Sequence, residues 1–234
     1  MAKMVGLSRN INCMWLNKTV ELINEGLNPE EIKEKLNEYL SYEISSPTNL
    51  RKTREILLNI WVSDGELTSK IRDTALELFN KYPEYRLEIH WCMMLAAYPV
   101  FGDVCKLIGK MSEFQDEIVL GQIKQKLFDE WGERTTLYHS IDKLVATLKS
   151  FEVLLCNKPG KYQVNERSVS NAEITIFMIY TSMLVDDNGY YLFAELDDSL
   201  YLFPFKYSLD KEKILEDERF LLNSFGGELT IALK

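Results

Sequence analysis

The sequence predicts a mainly α protein with three parts: a helical N-terminal domain over residues 1–100, a central winged helix-turn-helix over 101–168, and a small acidic α+β module over 169–234. Apolar residues recur at helical spacing through most of the chain before residue 150. That spacing changes to alternation on either side of a Lys-Pro-Gly-Lys turn at 158–161. After residue 170 the chain holds 12 acidic and 5 basic side chains, so its character changes again.

Five helices are predicted in the N-terminal domain. Gly26 ends the first helix, and Asn28 caps the second, which has Pro29 in its first turn. The fifth is apolar nearly all round in the stretch IHWCMMLAAY, which is typical of a central, buried helix. The predicted helices run from Leu16 to Glu25, from Asn28 through Leu40, along SSPTNLRKTREILLNIW, from Glu66 to Tyr82 and from Pro83 to Tyr98.

Three helices and a hairpin are predicted in the central part. The first two helices run from about Asp103 to Met111 and from about Glu117 to Trp131, and Gly132 breaks the chain before the third. The third helix, RTTLYHSIDKLVATLKSF, has its apolar residues on one face. Its outward-facing residues are Thr135, His139, Lys143 and Ser150.

The segment after the third helix is predicted to form the hairpin. Pro159 and Gly160 suit the two central positions of a type II turn, because proline fixes φ and glycine accepts a positive φ. Tyr162 and Val164 alternate with polar residues, as in a strand. Three helices followed by a hairpin favour a winged helix-turn-helix.

The acidic module is predicted to open with a buried helix, NAEITIFMIYTSMLV, and to continue through a DDNG turn. A final hairpin, FLLNSFGGELTIALK, turns at Gly226-Gly227. No linker rich in proline, glycine or serine separates the three parts, so we expect them to pack together.

Composition limits the cellular setting. The chain has 234 residues and is 46% hydrophobic, which is enough for a substantial core. Its four cysteines show no CxxC spacing, so we expect neither disulfides nor zinc, and a reducing cytoplasm fits best. No apolar stretch reaches the roughly 20 residues that a membrane helix needs, and no signal peptide is evident.

The sequence contains few of the residues and motifs on which enzyme active sites are usually built. There are two histidines, His90 and His139, and the nucleotide-binding motifs, the zinc-protease motif and the nucleophile elbow are all missing. The acidic pairs Asp186/Asp187 and Asp197/Asp198 are more often solvated loops than cation sites. His90 is more often a core histidine than a ligand, and the aromatic run GYYLFAELDDSLYLFPFKY is more often core or a partner surface. We therefore expect no catalytic residues, no metal and no cofactor.

The net charge of −9 argues against a nucleic-acid partner, yet two local features are basic. Arg51, Lys52 and Arg54 lie in the opening turns of a helix, where the helix dipole penalises each cation by about 0.3–1 kcal/mol. A phosphate or carboxylate at that helix N-terminus would explain their placement. The alternative is a solvated face on which Glu55 and nearby acids pair with these cations.

The second basic feature is the third central helix with its hairpin. In a winged helix-turn-helix this helix enters the major groove of DNA and the wing reaches the backbone. The alternative is that the unit binds protein or serves as a scaffold. The candidate residues are Thr135, Thr136, His139, Ser140, Lys143, Lys158 and Lys161.

Two segments resemble a known family. INEGLNPEEIKEKLNEYLSYEISSPTNLRKTREILLNIW, followed by a helical stretch and FDEWGERTTLYHSIDKLVATLKSFEVL, is similar to the BrxA family of bacteriophage-exclusion (BREX) defence systems. The resemblance covers about residues 15–165 and adds Arg134 to the candidate DNA contacts. It implies a small, cytoplasmic, non-enzymatic protein that binds double-stranded DNA beside larger defence proteins. The matching residues are Ser46, Thr48, Arg51, Lys52, Arg54, Arg134, Thr135 and Thr136.

These observations lead us to expect a DNA-binding accessory protein of an anti-phage defence system. It would bind duplex DNA through phosphate contacts from the winged helix and the basic helix N-terminus. The alternative is a protein-interaction adaptor that uses the winged helix and the aromatic C-terminal region. The acidic tail departs from the usual composition of a DNA binder, and the oligomeric state is left open.

Overall fold

The computed structural model of the protein describes residues 6–186, 188–225 and 228–234. Most of these residues are helical and the strands form only small sheets, which confirms the predicted mainly α class. The N-terminal helices are α1 (Cys13–Asn24), α2 (Pro29–Ser41), α3 (Pro47–Trp61), α4 (Thr68–Lys81) and α5 (Arg86–Ala97), and a 3₁₀ turn at Pro83–Tyr85 precedes α5.

The start of α2 shows how local sequence places a helix. The Asn28 side chain accepts hydrogen bonds from the backbone N–H groups of Glu30 and Glu31. The Glu31 carboxylate accepts one from the Asn28 N–H in return, completing a capping box. The predicted cap at Asn28 is therefore confirmed.

The central part follows the predicted order with one addition. A short strand that the sequence did not predict precedes the second helix, because Ile118 and Val119 pair with Tyr162 and Lys161. The helix predicted from Glu117 consequently begins at Leu120. The elements are α6 (Pro99–Ser112), β1 (Ile118–Val119), α7 (Leu120–Trp131), α8 (Thr135–Ser150), β2 (Leu154–Lys158) and β3 (Lys161–Val164), with sheet order β1-β3-β2.

The predicted helix from Thr135 to Ser150 and the hairpin that follows it are both confirmed. The two strands pair antiparallel, with Leu154 opposite Val164, and the chain reverses at Pro159-Gly160. Gly160 has φ of 77°, a conformation that glycine adopts without strain. The change from helical spacing to alternation across Phe151 therefore correctly predicted where the helix ends and the hairpin begins.

The C-terminal part contains the buried helix and the final hairpin that were predicted. The turn predicted at Gly226-Gly227, and residue 187 of the DDNG turn, lie outside the described residues. The elements are β4 (Arg167–Ser168), α9 (Ala172–Asp186), β5 (Tyr191–Leu192), α10 (Phe193–Asp197), a 3₁₀ turn (Leu200–Leu202), β6 (Phe205–Lys206), α11 (Lys211–Glu216), β7 (Phe220–Phe225) and β8 (Glu228–Leu233), with β5-β8-β7 in one sheet and parallel β4-β6 in another.

One continuous cluster of buried apolar residues joins the three parts, as expected. Its centre is α5, which is buried from Leu87 to Leu95 and lies against α4 and α9. The Trp91 ring contacts Phe101, and its indole N–H donates to the Tyr201 carbonyl at 2.9 Å. Domain boundaries at residues 100 and 168 stay a prediction.

No single helix in the described ranges is long and apolar enough to cross a membrane. The segment Pro83–Ala97 and α6 reach that length and composition only when taken together across a bend of 118°.

The C-terminal part approaches α6 most closely at Gly109. A Cβ placed there would lie 3.2 Å from Phe203 Cβ and 3.3 Å from the Leu200 carbonyl oxygen. Helical Gly-to-Ala changes ordinarily stabilise by up to about 1 kcal/mol, but at Gly109 this contact opposes the gain. Gly121, on α7, has nothing within 4 Å of the same position.

We therefore expect Gly121→Ala to raise the melting temperature and Gly109→Ala to leave it unchanged or lower it. Thermal unfolding of the two variants, followed by circular dichroism, makes the comparison. An equal rise in both variants would show that the contact at Gly109 is not tight.

His90 is a core histidine, which confirms the reading from sequence. The Trp61 indole donates to Nδ1 at 3.1 Å, so Nε2 carries the proton that bonds to Asn17 Oδ1 at 2.9 Å. Burial lowers the pKa of His90 from 6.5 to about 3, and the nearby Arg86 charge adds to the shift. The neutral ring is therefore the form that the folded protein requires.

This shift makes His90 a source of acid sensitivity. The unfolded chain takes up a proton near pH 6.5 and the folded chain does not, so stability falls as the pH drops from about 6.5 towards 3, by up to about 1.4 kcal/mol per pH unit. We expect His90→Gln, which keeps a hydrogen-bonding side chain, to show a shallower loss between pH 7 and 5 in urea unfolding. Parallel curves for the two proteins would rule His90 out as the cause.

Candidate nucleic-acid interface

The N-terminal half of α8 presents its polar side chains to solvent, as predicted. Thr135, Thr136 and His139 are exposed, whereas Leu137 on the opposite face is buried. The prediction for Ser140 was wrong, because Ser140 is buried. It lies one turn after Leu137 and shares the inner face of the helix.

The C-terminal half of α8 is covered by residues 6–12, which we call the N-terminal arm. The buried Ile11 N–H donates to Thr147 Oγ1 at 3.1 Å, and Ser150 Oγ donates to the Ile11 carbonyl at 2.7 Å. Both backbone groups of Ile11 are therefore bonded to α8. The arm leaves α8 open from Thr135 to Lys143, and this open half is where another molecule can reach the helix.

The arm also connects α8 to the start of α3. Arg9, two residues before Ile11, donates from Nε to Asn49 Oδ1 at 3.0 Å. Asn49 and Thr53 then face Lys143 across a groove of about 410 Å³, which we call the arm groove. The groove is lined by Arg9, Asn10, Trp15, Ile44, Asn49, Thr53 and Lys143.

The arm groove lies between α3 and α8, the two helices on which the sequence predicted basic features. Arg51 is exposed and Lys52 half-buried on the turn that follows Asn49, and neither forms an ion pair with any residue that the structure describes. Lys143 brings the charge of α8 to the groove. The groove thus brings Lys143 of α8 beside α3, whereas Arg51, two residues from both Asn49 and Thr53, lies on another face of α3.

Arg54 does not line the groove, although it was predicted to contact DNA. Its side chain is only 9% exposed, and its guanidinium donates to Asn37 at 2.8 Å and to the Glu55 carboxylate. The physical reason is position, because Arg54 follows Leu50 by four residues and precedes Leu57 by three, on the face packed against α2. A contact with phosphate would require these bonds to break.

The N-terminus of α3 has a protein cap of its own. Ser46 Oγ accepts a hydrogen bond from the Asn49 N–H at 3.4 Å, and Pro47 lacks the donor that would otherwise need a partner. The start of α3 is therefore capped without a phosphate. From the sequence, a bound phosphate was suggested there to explain the position of Arg51 and Lys52. Arg51 remains exposed and Lys52 half-buried on α3.

The hairpin lies apart from the open half of α8. The Leu120 N–H donates to the Gly160 carbonyl at 2.9 Å, which places the turn at the start of α7. Because α7 has 12 residues, its two ends are about 18 Å apart, and α8 begins just after its far end. In the hairpin, beside the start of α7, Lys158 is exposed, whereas Lys161 is bound to the Glu117 carboxylate.

Arg134 has a structural role at the break between α7 and α8. Its guanidinium donates to the Trp131 carbonyl at 3.1 Å and lies 5.9 Å from the centre of the Trp131 ring. This contact shapes the turn that precedes Thr135. The residue predicted from the family resemblance is thus half-buried beside the surface.

Two acidic side chains close to the open half of α8 and to α3 are paired with cations, whereas Glu133, just before α8, is exposed. Asp142 on α8 pairs with Lys124 of α7 at 2.6 Å, and Glu55 is bonded to Arg54. Sequence reasoning missed Arg9 and Lys124, because nothing local indicates that Arg9 meets Asn49, which is 40 residues away. The partner of Lys124 likewise depends on how α7 packs against α8.

The other candidate sites are structural. Within the described residues, no group of three histidine, cysteine or carboxylate side chains is placed to hold a metal ion. Asp186 pairs with Lys106 at 3.2 Å and accepts a hydrogen bond from Tyr201 at 3.0 Å. In the aromatic run, which was predicted to be core or a partner surface, Tyr201, Phe203 and Phe205 are buried in the core and Tyr190 is exposed.

We expect Thr147→Val to detach the arm from α8. The change leaves the buried Ile11 N–H without its acceptor, which costs about 1–3 kcal/mol. Thr19→Val is the matched control, since Thr19 is equally buried and donates only within its own helix, to the Trp15 carbonyl. Urea unfolding and hydrogen exchange at Ile11 measure the effect, and equal losses in both variants with unchanged exchange would contradict it.

Comparison with known proteins leaves the chain without a relative to argue from. No protein-family model, curated protein or solved structure matches it. The arm groove and the open half of α8 are therefore the basis on which function is argued.

Proposed function

We propose that residues 101–168 form a winged helix-turn-helix and that the protein binds double-stranded DNA without catalysing a reaction. The order of α6, β1, α7, α8 and a hairpin that pairs back onto β1 supports this. In such a unit α8 is the helix that enters the major groove. Its N-terminal half, where base contacts are made in this class, is the half that the arm leaves open.

The observation that carries the proposal is the cationic surface around the arm groove. Arg9 and Lys143 line the groove, and Lys52 lies three residues after the lining residue Asn49 on α3. Of the acids close to α8, Asp142 is paired with Lys124, whereas Glu133 is exposed and has no ion-pair partner among the described residues. Phosphate contacts from lysine and arginine supply most of the affinity of DNA-binding proteins, and they act locally. A protein with a net charge of −9 can therefore bind DNA through this surface.

Base recognition would fall to the exposed polar residues of α8. Thr135, Thr136 and His139 lie within one turn or so of each other at the helix start. Their hydroxyl and imidazole groups can hydrogen-bond to base edges in the major groove. Lys158, in the hairpin beside the start of α7, would contact the backbone several base pairs away.

We further propose that the protein is an accessory component of a prokaryotic anti-phage defence system and acts in the cytoplasm. The support is the resemblance of SSPTNLRKTRE and ERTTLYHS to the BrxA family. Larger defence proteins would then be its partners. In this setting DNA binding would bring the partners to DNA.

A second candidate function is that of a protein-interaction adaptor. Most of the aromatic C-terminal run is buried, so it offers little surface for this purpose. Phe114 favours the adaptor more directly, because it is 80% exposed beside a groove between α6 and α7. Tyr138 on α8 is also exposed, at 44%.

Salt dependence separates the two candidates. We expect the logarithm of the association constant for a random duplex of 24 base pairs to fall linearly with the logarithm of the salt concentration. The slope should be near −0.9 for each phosphate contacted. Lys143→Ala should make the slope shallower by about 0.9 and weaken all duplexes alike. Fluorescence anisotropy between 50 and 200 mM salt is the measurement. Lys70→Ala, which removes an exposed lysine from α4, is the matched control and should change neither quantity.

His139→Ala tests base reading in the same assay. Because base contacts carry the sequence information, this variant should change the ranking of duplexes more than the average affinity. No binding to any duplex near 50 mM salt would defeat the DNA proposal and leave the adaptor as the better account.

A further inference from the structure

The C-terminal sheet has an open edge at β7. In the sheet order β5-β8-β7, the six residues of β7 pair with β8 on one side only. The register runs without a shift from Phe220 opposite Leu233 to Phe225 opposite Glu228. A straight strand of this length offers a regular row of backbone groups to another chain.

The backbone groups that face outward can be assigned. The Lys234 N–H donates to the Arg219 carbonyl at 3.1 Å, which makes these two residues a hydrogen-bonded pair. In an antiparallel ladder such pairs alternate, so Leu221 and Asn223 direct their N–H and C=O groups to β8. Leu222 and Ser224 therefore direct theirs to the open edge.

The edge also lacks the features by which proteins protect such strands. Charged residues, proline and bulges are the usual protection, and β7, FLLNSF, contains none of them. The edge strand β2 of the other antiparallel sheet differs, because its register shifts between Cys156 and Lys158 and it ends in that lysine. The edge strands β1 and β5 have only two residues each, which is itself a protection, so β7 is the long unprotected edge of these two sheets.

Apolar side chains flank the edge on both faces of the sheet. Leu221 and Leu222 point to opposite faces and are 42% and 47% exposed. Leu229 of β8 lies opposite Ser224, on the same face as Leu222, and is 54% exposed. A strand placed beside β7 would cover these leucines with alternate side chains.

The charge beside β7 identifies the chemistry of the occupant. Glu212, Glu216 and Glu218 are exposed and have no ion-pair partner among the described residues. A second copy of this chain would not neutralise these carboxylates. Antiparallel pairing of two β7 strands sets the acidic flank of each copy beside the C-terminal end of the other β7, and residues 220–233 contain no lysine or arginine. A segment carrying positive charge would neutralise them instead.

We propose that the β7 edge binds an extended segment of another protein, in which apolar residues alternate with lysine or arginine, by adding it as a further strand. Backbone hydrogen bonds from Leu222 and Ser224 hold the segment. The exposed leucines receive its apolar side chains, and the glutamates near the start of β7 select its positive charge. This site is separate from the DNA surface, and its test does not depend on DNA binding.

The probe is a labelled eight-residue peptide of alternating valine and lysine, added to the full-length protein. We expect it to bind and to slow hydrogen exchange at the Leu222 and Ser224 amides. Leu222→Pro removes an outward donor while leaving the bonds to β8, and edge strands tolerate such a proline. It should bind about tenfold more weakly than Leu222→Thr, the matched variant that keeps the N–H, as expected for the loss of one or two hydrogen bonds.

Peptide controls keep the test independent of how well the variants fold. A peptide of alternating valine and glutamate, and a basic peptide with methylated alternate amides, should bind the unaltered protein at least about tenfold more weakly. Equal binding of the acidic and basic peptides, or unchanged binding of the methylated one, overturns the proposal. So does concentration-dependent dimerisation in sedimentation that Leu222→Pro abolishes, because the edge would then serve a second copy.

Discussion

A helix that is apolar on every side must be covered on every side, and α5 imposes this constraint on the whole chain. Helices α1, α3 and α4 of the N-terminal part, α6 of the central part and α9 of the C-terminal part all lie against it. Trp91 shows the result at one residue, since its ring meets Phe101, Phe203 and Phe205 from two different parts of the sequence. The three parts share one core, so their surfaces are held in fixed relation and a single surface can draw residues from all along the chain.

The arm groove is such a surface. Its two cations, Arg9 and Lys143, come from the N-terminal arm and from α8, and they lie close together although the protein as a whole is acidic. Long-range repulsion from the acidic tail is screened within about 8–10 Å at physiological salt, whereas contacts with phosphate act at hydrogen-bond distance. The distribution of charge, more than its sum, therefore decides which polyanions the protein can approach.

Sequence reasoning reached those features that depend on local chemistry. The cap at Asn28, the length of α8 and the turn at Pro159-Gly160 follow from residue type and period, and the structure has all three. Arg54 was misplaced although helical spacing from Leu50 indicated its buried face. Strand β1 was not predicted, because two residues are too few to show a hydrophobic period. The contact of Arg9 with Asn49 was not predicted either, because only the folded core brings those two segments together.

The arm has a consequence for synthesis of the protein. The hydrogen bond from Ile11 to Thr147 spans 136 residues, so the arm leaves the ribosome long before its binding site on α8 exists. At about 5–20 residues per second, that interval is on the order of ten seconds. During this time the apolar Leu7 and Ile11 have no place on α8, and the nascent N-terminal helices must fold around an unanchored segment. Only a chain translated past α8 can therefore display the arm groove.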